Sequence, residues 1–299
     1  MRIKKKLSNI RIALFQPFFR RMCGWEDIQE QIDTVHYFLN STVDIKSLPK
    51  ANGVLRHLQL VDTEVLRIVT QILQKHGIDC WLDYGTLLGA VRHGGFIPWD
   101  DDLDVAVKRC DYKNAYELLK NELPKYGIEV GDCSLGRAWI CIGDAGVICD
   151  IFPVDCVDSN SVETFESLSK KVFEYRKYYN NHQKDSEEKL ILKREEIIGF
   201  PNYEKPVWYH NAEFNADGSV YANDTIFPLK TIIFEGYNFF APKNCDEYLQ
   251  QKYGKKYMDF PQKGVLHHMG DNNQQIFYNS IKSGIDMDAL LDKLKEIQP

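Results

Sequence analysis

The acids between Asp100 and Asp104 concentrate the chemistry that this chain could perform. Asp100-Asp101-Asp102-Leu103-Asp104 runs directly into Val105-Ala106-Val107. Side chains alternate faces along a strand. Asp102 and Asp104 are therefore expected on one face, with Leu103, Val105 and Val107 in the opposite layer. Carboxylates this close repel, and a shared cation is the obvious reason to keep them together. A hard divalent ion with oxygen ligands, Mg²⁺ before Mn²⁺, fits best. A third acid, Asp150, interrupts the apolar run Val147-Ile148-Cys149 and Ile151-Phe152-Pro153. Burying a lone carboxylate is costly. A metal shared with Asp102 and Asp104 would offset that cost; a salt bridge or an exposed strand edge would also do so. Asp155 is the reserve candidate for this third position.

A second device lies just upstream. Gly85-Thr86 follows the apolar run from Ile78 to Leu82 and precedes the helical pattern Leu87, Leu88, Val91. That is a strand, a tight turn and a helix N-terminus, where backbone N–H groups attract anions. The Thr86 hydroxyl can cap the helix or touch a phosphate oxygen. Arg92 follows about two turns later and is within plausible reach of a phosphate, while His93 reads as packing in the turn. Each device is common alone. A Gly-Thr before a helix is usually a capped turn, and a run of acids is usually a solvated loop. Their spacing, and the apolar alternation after the acids, make the combination more specific.

Several elements must position these residues. Leu58, Val61, Val65, Ile68, Val69 and Ile72 repeat at three and four residues, predicting a helix over 54–76 that Gly77 ends. It should pack on the sheet carrying the acids. Arg56 and Gln59, on its early turns, read as ordinary surface. Asp111 reads as the N-cap of a helix reaching about Lys125. Strands are expected at 128–133, 137–142 and 147–152, with a hairpin turn at 143–146. Residues 159–198 read as helical, with Tyr175, Tyr178 and Tyr179 packed on the core. From 200 to 227 the aromatics Tyr203, Trp208, Tyr209, His210, Phe214 and Tyr221 suggest irregular structure over the site. Their faces could hold a quaternary ammonium or form a second small core. Residues 226–242 read as a hairpin turning at Glu235-Gly236, and Asn244 with Glu247 as a capping box for a helix to Tyr253.

Bulk properties exclude some classes. The net charge of −6 over 299 residues argues against general nucleic-acid binding. No apolar run is long enough to span a membrane. The eight cysteines form no C-x-x-C pair and read as reduced core thiols of a cytoplasmic protein. A zinc site from Cys141, Cys149 and Cys156 is disfavoured by its spacing. The first 21 residues carry seven Lys or Arg and no acid, interleaved with Ile10, Ile12, Leu14, Phe15, Phe18 and Phe19. Arg11 and Pro17 break any signal-peptide core. This segment reads either as a contact with the anionic inner face of the cell membrane or as a basic terminus that only covers the domain.

The stretch Gly85-Thr86-Leu87-Leu88-Gly89-Ala90-Val91-Arg92-His93, followed by Ile97-Pro98-Trp99-Asp100-Asp101-Asp102-Leu103-Asp104, resembles the signature of the LicD family. These are bacterial phosphocholine-transferase relatives of fukutin and fukutin-related protein. Tyr248-Leu249, Lys252-Tyr253-Gly254 and Tyr257-Met258 look like that family's C-terminal motif. The resemblance spans about residues 54–265 and is thin between 156 and 222. It implies an α+β fold: a nucleotidyltransferase core of the DNA polymerase β type with a mixed sheet, a helical insertion and a C-terminal elaboration. The expected layout is a basic segment over 1–24 and a catalytic domain over 25–265, with the insertion at about 159–225. A helical extension over 266–299 follows, in which His267-His268 read as surface. The resemblance also implies a CDP-alcohol donor such as CDP-choline, a hydroxyl of a cell-surface glycan or glycolipid as acceptor, and CMP as leaving group. Asp102, Asp104 and Asp150 would hold the metal and be catalytic. Gly85, Thr86 and Arg92 would bind the donor phosphates. An NTP-dependent nucleotidyltransferase and a non-catalytic glycan- or nucleotide-binding module are the alternatives.

Overall fold

A computed structural model describes residues 25–142, 147–214, 218–261 and 286–299. The basic segment, the hairpin turn at 143–146 and His267-His268 lie outside these. The chain divides into two compact units, residues 1–47 with 259–262, and residues 48–258 with 263–299. In the first, helix α1 (Trp25–Thr42) is tied to the returning chain where Asn40 accepts the Phe260 N–H at 2.8 Å.

The second unit holds the sheet. Helix α2 (Gly53–Lys75) follows the apolar spacing, and Gly77, at φ 72°, turns the chain after it. Next come β1 (Cys80–Leu82), α3 (Tyr84–His93), β2 (Leu103–Lys108) and α4 (Arg109–Glu122). Asp111 lies in the first turn of α4 and does not cap it; Lys108 holds the N-cap position, because β2 runs straight into the helix. Short β3 (Glu129–Val130) and β4 (Ala138–Cys141) lead to β5 (Val147–Asp158), which is far longer than the apolar run predicts.

The strand order is β1-β2-β5-β4-β3. Only β2 and β5 run parallel along this path; the other neighbours are antiparallel. The sheet is therefore mixed. Helices α2 and α4 pack together against β1, β2 and β5. Leu103, Val105 and Val107 are fully buried, as their alternation requires.

Beyond Pro153, β5 pairs with β6 (Pro206–His210), and β6 pairs with β7 (Val220–Ala222). The stretch expected to be irregular thus extends the sheet. Trp208, Tyr209 and Tyr221 are buried within it, so these three rings fill cores and do not form an open cage. Helices α5 (Phe165–His182) and α6 (Glu187–Ile197) accompany this extension. Leu168, Val172, Tyr175, Val207, Tyr209 and Val220 make a second core there. After the short α7 (Asn223–Ile226), β8 (Lys230–Phe234) and β9 (Tyr237–Ala241) form a separate hairpin. Its turn has positive φ at both Glu235 (48°) and Gly236 (87°), as a two-residue loop of the strand-twist-compatible type needs. Helix α8 (Cys245–Tyr253) is capped by Asn244 through the Glu247 N–H. Helix α9 (Met287–Glu296) lies on α2, where Arg67 donates to the Leu294 and Ile297 carbonyls. Among the described residues no helix is long and apolar enough to cross a membrane.

Candidate active site

Strand β1 is followed by Asp83, whose side chain accepts the Tyr84 N–H at 2.8 Å and starts α3. Tyr84 takes φ 40°, a left-handed conformation that a side chain tolerates only when its surroundings fix it. They do so here. The ring meets Phe152 at 4.9 Å and His210 at 5.0 Å, and Lys252 Nζ lies 3.2 Å from its centroid. Beneath the turn, the Tyr248 hydroxyl donates to Asp83 at 3.0 Å and sits 2.9 Å from His210 Nε2.

Gly85 faces the acids. A Cβ built there would stand 2.7 Å from an Asp100 carboxylate oxygen and 3.9 Å from one of Asp104. Any larger residue would push the carboxylates off the helix start. Thr86 is buried, and its hydroxyl oxygen accepts the Asp104 N–H at 2.7 Å. It therefore fastens α3 to β2, while Asp83 holds the N-cap. Arg92 is buried and donates to the Tyr257 carbonyl at 3.2 Å and to His93 at 3.1 Å. Burial lowers its pKa to about 10, against the upward pull of Tyr253 and Asp100. Burial, then Arg92, lowers His93 to about 4, which keeps it neutral.

Strand β2 begins at Leu103, so Asp102 sits one residue ahead of it. The carboxylates whose oxygens converge, all within 4.8 Å of one another, are those of Asp100, Asp101 and Asp102. Asp104 and Asp150 are not of that set. They are instead direct neighbours across the parallel pair β2–β5. Burial, then Asp102, Asp150, Asp100 and Asp83, hold Asp104 well above the usual carboxylate range. Burial raises Asp150 to about 6; the Arg137 guanidinium, which donates to its Oδ2, pulls the other way. Its Oδ1 is buried with no hydrogen-bond partner. This donor set suits a hard divalent cation. Asp155 serves differently: despite its burial, Arg109 and Arg194 hold its pKa low, and Arg109 grips both its oxygens at 2.8 Å. Among the described residues the three cysteines form no ligand cluster.

Four residues join the site that sequence reasoning missed or read as surface. Asp100 lay within the acid run but was not singled out. Gln59 is fully buried, and its amide donates to the Asp100 carbonyl at 2.9 Å. Arg56 donates to Glu235 at 2.7 Å, and Glu235 in turn accepts the Phe96 N–H and bonds Gly94 through its own backbone. Neither Arg56 nor Gln59 is ordinary surface; together they hold the loop that delivers the acids. Their signal was their place one turn apart, with Gln59 beside the apolar Leu58. Asp62 on α2 is fully buried with no hydrogen-bond partner at either oxygen. Burial, then Asp102 and Asp101, push its pKa well up.

Asp62 gives a pH prediction. A raised folded-state pKa means that folding keeps a proton which the unfolded chain releases. Stability is full below about pH 4 and falls as pH rises toward the folded pKa. In chelator, Asp62→Asn should be more stable than the parent at pH 8 and show no gain at pH 4, read by urea melts. An equal gain at both values would mean that packing, not charge, sets the cost.

Residues 77–132 match the sequence family described as LicD/FKTN/FKRP, nucleotidyltransferase domain. Similar curated proteins include the lipopolysaccharide cholinephosphotransferase LicD of Haemophilus influenzae, 38% identical over 84 residues. That alignment covers 28% of this chain and 32% of the relative. The human ribitol 5-phosphate transferase FKRP is 26% identical over 201 residues, 67% of this chain and 32% of the relative. The matched stretch contains α3, β2 and α4 with Gly85, Thr86, Arg92 and the whole acid run. Against both relatives the chain spans about a third of their length.

Proposed function

We propose that this chain, whose residues 77–132 match the LicD/FKTN/FKRP family, transfers a phospho-alcohol group from a CDP-alcohol to a hydroxyl of a cell-surface glycan, releasing CMP. The observation that carries this reading is the side-by-side placement of Asp104 and Asp150 next to the converging Asp100, Asp101 and Asp102. The parallel strands bearing these acids also support a nucleotidyltransferase core of the DNA polymerase β type. The cholinephosphate and ribitol phosphate in the relatives' names support the phospho-alcohol class.

Asp102, Asp104 and Asp150 would hold Mg²⁺ or Mn²⁺, which would supply charge neutralisation for the pyrophosphate and the leaving CMP. The remaining roles belong to the chain itself. Thr86 fixes the Asp104 backbone against α3, and Gln59 fixes the Asp100 backbone against α2. Gly85 leaves the room in which the carboxylates approach the helix start. Asp150, with a pKa of about 6 and a free Oδ1, is ionised at neutral pH yet more basic than an ordinary carboxylate. It suits removal of the acceptor hydroxyl proton.

The test needs no acceptor. Melting temperature is recorded against CDP-alcohols, NTPs and UDP-sugars, with and without Mg²⁺, beside Asp102→Asn. A ligand that binds only the folded state raises the melting temperature. A Mg²⁺-dependent rise with one CDP-alcohol, lost in the variant, is the expected result. A rise with NTPs alone would instead support the nucleotidyltransferase reading, and no rise with any of them would count against both.

A further inference from the structure

Arg137 stands just before β4, opposite the acids. Its Nη1 donates to Asp150, whose backbone neighbours Asp104 in the sheet. Its guanidinium carbon lies over the Phe214 ring, 4.7 Å from the centroid. A third of the side chain is open to solvent (33%), whereas Asp150 is nearly closed off. Asp150 is the single acceptor of the guanidinium among the described residues, so its other N–H groups remain available.

The other arginines near the acids are used up. Arg92 is buried on the Tyr257 carbonyl. Arg109 grips Asp155 and the Leu135 carbonyl. Arg194 is buried against Glu213 and Asp155. Arg137 differs in being both anchored and open. It is also held from two sides, by the Asp150 carboxylate and by the Phe214 ring. Phe214 continues in ring contacts to Phe152 at 5.1 Å and from there to Tyr84 at 4.9 Å, just before Gly85. Three rings thus line the way from the start of α3 to Arg137.

A structural counter-ion for Asp150 would need only a positive charge. An oriented guanidinium with spare donors offers more, because its planar fork matches the oxygens of a phosphate. We propose that Arg137 is a further catalytic residue, contacting the non-bridging oxygens of the phosphate under attack. The proposal rests on the transfer reading above. In that step the acceptor oxygen bonds to phosphorus as the bond from phosphorus to the CMP oxygen breaks. The electron pair leaves with CMP, and the hydroxyl proton passes to Asp150 and then to solvent. Arg137 stays protonated throughout and neutralises charge that the transferring phosphate carries.

The probe is inorganic pyrophosphate, which any phosphoanhydride-using reading requires the site to hold. Binding is measured by calorimetry on the full chain with saturating Mn²⁺, and Mn²⁺ binding alone by electron paramagnetic resonance. Arg137→Gln should weaken pyrophosphate binding by about 30-fold or more, the scale of a charged bidentate contact. Mn²⁺ alone should bind it as tightly as the parent or tighter, since Asp150 loses a competing cation. Phe214→Leu, which keeps the charge but removes the ring, should lose several-fold in pyrophosphate affinity. Arg137→Gln binding pyrophosphate within about threefold of the parent would overturn the proposal and leave the transfer reading standing. Should that variant lose its cooperative melt, Arg137→Lys decides: it keeps the ion pair, and full pyrophosphate affinity there would equally overturn the proposal. A parent chain that binds neither pyrophosphate nor any nucleotide would defeat the transfer reading itself, and this proposal with it.

Discussion

Asp104→Asn should leave a folded protein whose turnover falls by about a thousandfold or more, the scale on which removing one electrostatic stabiliser acts. Asp104 is held from several sides. Its N–H is held by Thr86, its carboxylate approaches Gly85, and its strand neighbour is Asp150. The carboxylate is crowded by Asp102, Asp150, Asp100 and Asp83 as well as buried. A neutral amide of the same shape relieves that repulsion, so stability in chelator should hold or rise at pH 8. The check pairs a CMP-release assay, using the donor found by the melting panel, with urea melts of both proteins. More than a tenth of the parent's turnover in the variant would remove Asp104 from the mechanism. A variant that is inactive because it is unfolded would leave the assignment without support.

The largest effect on stability is expected away from the acids, at Glu213→Leu. The Glu213 side chain is fully buried and accepts from Arg194 at 2.9 Å and from the Tyr175 hydroxyl at 3.0 Å; Arg109 stands 3.4 Å away. Two arginines and two acids, Asp155 and Glu213, balance in this network. Removing one acid leaves surplus buried positive charge, and breaking a buried pair in this way costs about 3–5 kcal/mol. Chemical denaturation should show that loss with an unchanged slope. Replacing Arg194 by Met in the same chain should recover part of it, because the surplus cation is then gone. A loss below about 1 kcal/mol, typical of exposed pairs, would mean that water reaches the network.

The acid run, the glycine turn and the apolar period of α2 were legible because each is a local pattern with one physical meaning. Leu103, Val105 and Val107 turned out buried for the reason their alternation gives. What escaped was long-range. Whether Gln59 or Arg56 meets solvent depends on a loop about 40 residues away and a hairpin about 180 residues away. No periodicity carries that. Asp62 escaped because a polar residue on the flank of an apolar helix reads as surface until the acid loop is seen to lie against it. Asp150 reads as the first candidate for the third acid and Asp155 as the reserve; only the arginines that fold back on Asp155 show that it serves a different network. The aromatic stretch over 200–227 misled in its local structure, reading as irregular where it pairs with β5. A core, one of the two readings of its rings, is where Trp208, Tyr209 and Tyr221 lie.

The length of β5 has one more consequence. Asp150 and Asp155 are five positions apart on one strand, an odd number, which places them on opposite sides of the sheet. One side serves the acids of β2, and the other serves the buried ion network under α6. The strand therefore fixes the parity between the two neighbourhoods. A single residue gained or lost between Asp150 and Asp155 breaks that parity. It would turn one of the two carboxylates to the wrong side, leaving either an acid without its arginines or an active site without its third acid.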